Sequence, residues 1–220
     1  MEDYPAFKAW VNGAFIVVTL SYTAVTLALG LWVLPKAQMH RSTHLIVDAL
    51  GVALDNEVTN QYYNNPQRPS VTRLGMNVFE NSLFSWRISE RMLIIERTKI
   101  LIYIIAWLLL VLPRTTSLDL IAAGAQALFA SALLSDYLRL EIARIQFHSV
   151  YKDSWHLFLN GIPDTNNATT TGVILNLAMR YECIKSSMTV SLDSKIFTKI
   201  NDEVTREWEQ IKSRLHINDT

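Results

Sequence analysis

The sequence predicts an all-α membrane protein, with three transmembrane helices (one near the N-terminus, then a short hairpin) and a cytosolic helical domain. Three observations predict it. Asp, Glu, Lys and Arg are absent from Ala9 to Pro35, from Ile100 to Pro113 and from Leu120 to Ser135, runs of 27, 14 and 16 residues. An ion without a partner in hydrocarbon is costly, so runs of this kind mark segments able to lie in a bilayer. Between and beyond them, apolar residues recur at helical spacing. Glycine and proline are few, at seven and six, which suits a chain built of helices.

The first run, residues 9–35, clears the roughly 20 apolar residues that a helix needs to cross a bilayer core. Its length and its edge at Trp32, Pro35 and Lys36 argue for a retained transmembrane helix over a cleaved secretory signal. Glu2, Asp3 and Lys8 flank one end, whereas Lys36, His40 and Arg41 flank the other, so the positive-inside rule puts the C-terminal end in the cytosol.

Residues 36–96 form a cytosolic helical segment. Ser42 or Thr43 can cap a helix carrying the stripe Ile46, Leu50, Leu54 and Val58, and Asn64-Asn-Pro-Gln-Arg-Pro-Ser70 breaks it. From about Val71 a second helical pattern runs through Phe84, Ile88, Met92 and Ile95 into the next apolar run with no break signal. It reads as one continuous helix.

Residues 97–136 form the transmembrane hairpin, turning at Pro113-Arg-Thr-Thr-Ser-Leu-Asp119. Fourteen residues of helix rise only about 21 Å, so the hairpin must thin the bilayer or borrow length from Leu93, Ile94 and Ile95 while Arg97 and Lys99 snorkel. Arg97 and Lys99 lead in and Arg139 and Arg144 lead out, which places the C-terminus in the cytosol and the N-terminus outside.

Residues 137–220 form a cytosolic C-terminal helical region. Leu138, Ile142 and Ile145 carry the third helix on to about Tyr151, and Gly161 to Gly172 reads as a loop. A helix is expected near Val173 to Ser186, with Asp193 and Asn201 as successive caps after it. Val204, Trp208, Ile211 and Leu215 then form a seam at steps of four, three and four. Such a seam either packs on its own domain or serves self-association or partner binding.

No catalytic motif stands out, so the expectation is a non-enzyme without cofactor or metal. His40 and His44 have metal-ligand spacing but no further ligands to complete a site. His148 and His156 lie eight apart, and Cys183 reads as a core or interface residue. The lone cysteine excludes an intrachain disulfide. Twenty basic against twenty acidic side chains give no net-charge argument for bulk nucleic-acid binding.

The membrane segments themselves carry polarity. Thr19, Tyr22, Thr23 and Thr26 make a hydroxyl stripe on the first helix. Ala123, Ala127 and Ser131 make a small-residue ladder on the third, with Gln126 beside it. These are candidates for helix interfaces within or between copies, or for a water path. Three crossings are too few to enclose a pore, so conduction would need a homo-oligomer.

The run Phe79-Glu-Asn-Ser-Leu-Phe-Ser-Trp-Arg-Ile-Ser-Glu-Arg-Met92 precedes the hairpin. With Arg180-Tyr-Glu-Cys-Ile-Lys185, Leu192-Asp-Ser-Lys-Ile-Phe197 and Glu207-Trp-Glu-Gln-Ile-Lys212, it resembles small bacterial membrane effectors of anti-phage defence. The family in view is the retron-encoded transmembrane effectors, together with related pore-forming defence effectors. The resemblance implies a toxin of the bacterial inner membrane that acts in abortive infection. It also implies a regulatory partner, a reverse transcriptase with its RNA-DNA product, which holds the toxin inactive. Arg68, Arg73, Arg87 and Arg91 are the candidates for contacting that nucleoprotein. The rival expectation is a non-toxic membrane anchor or assembly subunit that recruits a cytosolic partner complex.

Overall fold

The computed structural model describes residues 5–52, 54, 67–112, 132–188 and 192–217, and no strand occurs among them. The chain divides into two compact units, Met1–Thr43 and His44–Thr220.

α1 (Pro5–Ala28) gives way to a π-helical turn (Leu29–Val33) before α2 (Leu34–Leu50), whose residues up to Thr43 belong to the first unit and whose residues from His44 belong to the second. Pro35 supplies the cause. It has no N–H to offer the carbonyl four residues back and its ring crowds that carbonyl, so the helix widens one turn ahead of it. The helical stretch Gly13–Leu50 is long and apolar enough to cross a membrane, and its side chains from Gly13 to Leu31 are all exposed. Leucine, valine and phenylalanine are thus exposed along this helix without a charged face.

No new helix begins at Ser42 or Thr43. The Ser42 hydroxyl instead donates to the Gln38 carbonyl at 3.0 Å, bonding back along a helix already under way. That helix stops at Leu50. Gly51 takes φ of +67°, and its N–H bonds the Val47 carbonyl at 2.9 Å. A Cβ at Gly51 would lie 2.8 Å from the ring of Pro69, so two constraints hold this glycine. Leu54 therefore lies past the helix, and Val58 is outside the described residues.

In the second unit, α3 runs unbroken over 41 residues, Val71–Val111. The Ser70 side chain caps it by accepting from the Arg73 N–H. α4 (Ala132–Phe158), α5 (Ala168–Ser187) and α6 (Ser194–Arg214) all pack on α3, and α4 also packs on α5. The sequence placed the start of α5 too late. Asn167 accepts from the Thr169 N–H at 2.9 Å, and this cap begins the helix ahead of Gly172. Asp193 caps α6 as expected, with the Lys195 N–H at 2.7 Å, whereas Asn201 lies inside that helix and caps nothing. The end of α6 is closed by His216 at φ of +55° and by an Ile217 N–H to Lys212 carbonyl bond of 3.1 Å. This is the Schellman arrangement, with Ile217 buried against the core as its hydrophobic contact.

Phe79 is the hub of the core. Fully buried on α3, it meets Tyr151, Trp155 and Phe158 of α4 at ring distances of 5.4, 6.4 and 5.8 Å, and Trp208 of α6 at 5.1 Å. On the same helix Ser82, Ser85 and Ser89 are buried. Their small side chains keep their hydroxyls bonded, to the Phe79 carbonyl, the Tyr181 hydroxyl and the Ser85 carbonyl respectively. Asp48 ties α2 to α3 by accepting from Arg73 at 2.9 Å and Asn77 at 3.1 Å.

One carboxyl in the bundle is poised to titrate. Burial pushes the Glu80 side chain up to about 7; nearby Lys212 opposes the shift and Glu209 adds to it. A carboxyl with a raised folded-state pKa leaves the fold unburdened below about 4.5. It costs stability progressively as pH rises to about 7, by up to about 3 kcal/mol for a shift of this size. Thermal unfolding at about pH 5 and about pH 8 should therefore show a loss of stability that Glu80→Gln largely removes. An equal pH dependence in the variant would show that Glu80 is not its source.

Candidate functional site

The site lies where α3 leaves the bundle. Up to Leu93 its inward face is buried, with Ile88, Met92 and Leu93 at 8 % exposure or less. From Ile94 onward most of its described large apolar side chains are exposed, among them Leu101, Ile102, Tyr103, Ile105 and Leu109, while Ile100 and Trp107 are half-buried. Between the two regimes stands a collar of charge. α3 contributes Arg87, Glu90, Arg91 and Arg97, α4 contributes Glu141 and Arg144, and α6 contributes Glu203 and Glu207.

Six of these eight side chains form one linked chain of ion pairs, and Arg91 and Glu203 form a separate pair. Arg87 grips Glu207 with two bonds, Nε to Oε2 at 3.0 Å and Nη2 to Oε1 at 2.5 Å, and reaches Glu90 at 3.1 Å. Its guanidinium also lies 4.2 Å from the centre of the Trp86 ring. Arg144 joins Glu90 at 3.9 Å to Glu141 at 2.8 Å, and Arg97 meets Glu141 at 2.8 Å. Arg91 faces Glu203 more loosely at 3.5 Å. Burial works to raise the Glu141 carboxyl, but hydrogen bonds from Arg97 and Arg144 outweigh it and hold it below the ordinary range. Hydrogen bonding to Glu207 likewise holds the Arg87 guanidinium firmly protonated.

Exposed ion pairs of this kind contribute about 0–1 kcal/mol each, while a two-bond, partly buried pair such as Arg87–Glu207 contributes more. The collar thus does more to fix the register of α6 and α4 on α3 than to hold the bundle together. The three helices enclose a groove of about 580 Å³ here, bordered by Arg91, Ile94, Arg97, Glu203 and Val204 among others.

The residues singled out from sequence fall in several places. Val204, Trp208, Ile211 and Leu215 are buried, at 6 % exposure or less, within the chain's own bundle. Of the two expectations for this seam, packing on its own domain is the one seen: its apolar face is spent on Phe79 and its neighbours, because α6 folds back onto α3. Thr19, Tyr22, Thr23 and Thr26 are exposed on α1. The Thr19 and Thr23 hydroxyls donate to the carbonyls of Phe15 and Thr19 at 2.8 and 2.9 Å. Bonded in this way, they can face hydrocarbon without an unmet donor. Ala123, Gln126, Ala127 and Ser131, with the turn from Pro113 to Asp119, lie outside the described residues.

The four candidate arginines do not form one patch. Arg73 is held by Asp48 and by the Gln67 carbonyl at 3.1 Å, and Arg87 and Arg91 belong to the collar. Arg68 is exposed at the opposite end of α3. Cys183 is exposed on α5, which removes it from the core. His148 and His156 share a shallow groove with Tyr151, Lys152 and Trp155, and burial beside Lys152 and Arg144 holds His148 below its usual range.

Sequence reasoning missed Glu90, Glu141, Glu203 and Glu207. The spacing of Glu203 and Glu207, four apart beside a buried seam, and of Arg87 and Arg91, four apart on α3, was the available signal. Which charge meets which across 120 residues is a tertiary fact. No family model matches the chain, and no curated protein or solved structure matches it significantly.

Proposed function

We propose that the chain is a toxic inner-membrane effector of a bacterial abortive-infection system, kept inactive by a regulatory partner and damaging the bilayer on release. In this reading it crosses the membrane three times, with the N-terminus periplasmic and the C-terminus cytoplasmic, and several copies assemble to permeabilise the bilayer. One observation carries it. α3 is one continuous helix, buried in the bundle at one end and carrying, beyond Lys99, a charge-free run with Leu101, Ile105 and Leu109 exposed at the other. At about 1.5 Å per residue it spans roughly 60 Å, so a displacement at the bundle reaches the apolar segment with little loss. The resemblance to retron-encoded effectors supplies the identity of the partner, a reverse transcriptase with its RNA-DNA product. Arg68, exposed and outside the charged collar, is one of the four arginines open to that contact.

Inducing the chain alone in bacteria loaded with a potential-sensitive dye should give rapid depolarisation and growth arrest. Co-expressing the partner should restore both. Polarised, growing cells at full expression would overturn autonomous toxicity and favour the anchor reading. Altered phospholipids preceding depolarisation would point to an enzyme.

A further inference from the structure

The collar groove opens directly onto apolar surface. Ile94 is 56 % exposed at its mouth, and Leu101, Ile105 and Leu108 follow on one face of α3 at steps of seven, four and three, all exposed. A molecule with a polar head in the groove could lay an acyl chain along that face. The groove's volume of about 580 Å³ lies within the range of small-molecule sites.

The lining selects the kind of head. Four arginines and three glutamates border the groove, so both signs of charge are offered within one small space. Arg87 and Glu207 are engaged with each other through two bonds. Arg91 and Glu203 are not gripped so firmly: they stand 3.5 Å apart with their side chains 53 % and 64 % exposed. Arg97 is paired through one nitrogen with Glu141 at 2.8 Å yet is 55 % exposed. An anionic head would satisfy Arg91 and Arg97 but would meet the Glu203 carboxylate. A choline head has no N–H to give Glu203. A head with a phosphate and a primary ammonium satisfies both, the phosphate on the arginines and the ammonium on the glutamate.

We propose that this groove binds a phospholipid of that class, such as phosphatidylethanolamine, with its head between Arg91, Arg97 and Glu203 and its chain along Ile94 and Leu101. The proposal rests on the reading of the apolar half of α3 as membrane-embedded. Lipid bound here would bridge α6 to α3 at the point where the bundle meets the bilayer.

The test has two stages. The full chain is first mixed with phosphatidylcholine vesicles and floated; failure to enter the bilayer overturns both the membrane reading and this proposal. Chain extracted in detergent is then titrated with phosphatidylethanolamine, phosphatidylglycerol or phosphatidylcholine, and retained lipid is counted by native mass spectrometry. Phosphatidylethanolamine should be retained about tenfold better than either of the others, the worth of one charge-assisted hydrogen bond. Glu203→Gln should erase that preference, and Arg91→Gln should weaken retention of all three. Both side chains are more than half exposed, so the variants should keep the wild-type circular dichroism spectrum. Equal retention of the three lipids by the wild type, or a preference that survives Glu203→Gln, would overturn this proposal and leave the membrane reading standing.

Discussion

Replacing Phe79 by alanine should cost the bundle about 3–5 kcal/mol, the usual penalty for emptying a fully buried aromatic site. The ring is completely enclosed and touches four other aromatic rings on two helices. Those partners sit on α4 and α6 and are held by their own neighbours, so the space cannot close by the shift of one side chain. A domain of this size is stable by only about 5–15 kcal/mol, so the loss should be visible as a large drop in the denaturation midpoint with little change in slope. Phe79→Leu, which keeps more of the volume, should cost distinctly less. If Phe79→Ala unfolds at the wild-type midpoint, the aromatic cluster is not the centre of the fold.

The second large effect is expected in α1. Val18→Arg with Val25→Arg puts two cations on one face of the long apolar helix, each costing about 2.5–3.5 kcal/mol at the centre of a bilayer. Together they should remove the preference of this segment for hydrocarbon. On the proposed topology, external protease should cleave an N-terminal tag from the wild-type chain in spheroplasts and should fail to reach it in the double variant. A tag still cleaved from outside would mean that insertion does not depend on the apolarity of α1. Thr19→Leu with Thr23→Leu should leave insertion intact, because those hydroxyls already bond within the helix.

The local features were legible in the residues alone. The charge-free first run, the break before Val71, the unbroken pattern from there into the second run and the Asp193 cap each correspond to an element of the structure. These depend on neighbours within a few positions, on caps, breakers and periodicity, and such signals survive without a partner. Where two local signals competed, the residues were misread. Ser42 and Asn201 have the side chains of caps, yet the chain before each was already helical, and a polar side chain then bonds locally without ending the helix.

The sequence by itself therefore determined that the chain is helical, that one N-terminal segment is long and apolar enough for a membrane, and where α3 begins. Only the tertiary structure decided what the amphipathic seam of α6 faces and which charges pair. Val204 and Trp208 would look the same in sequence whether they met another chain or their own. Their burial against α3 is decided by the aromatic surface that Phe79 presents there, and by the Arg87–Glu207 and Arg91–Glu203 pairs that set the register. Apolar contact is non-directional, so its partner is chosen by shape and charge brought together over long sequence distances.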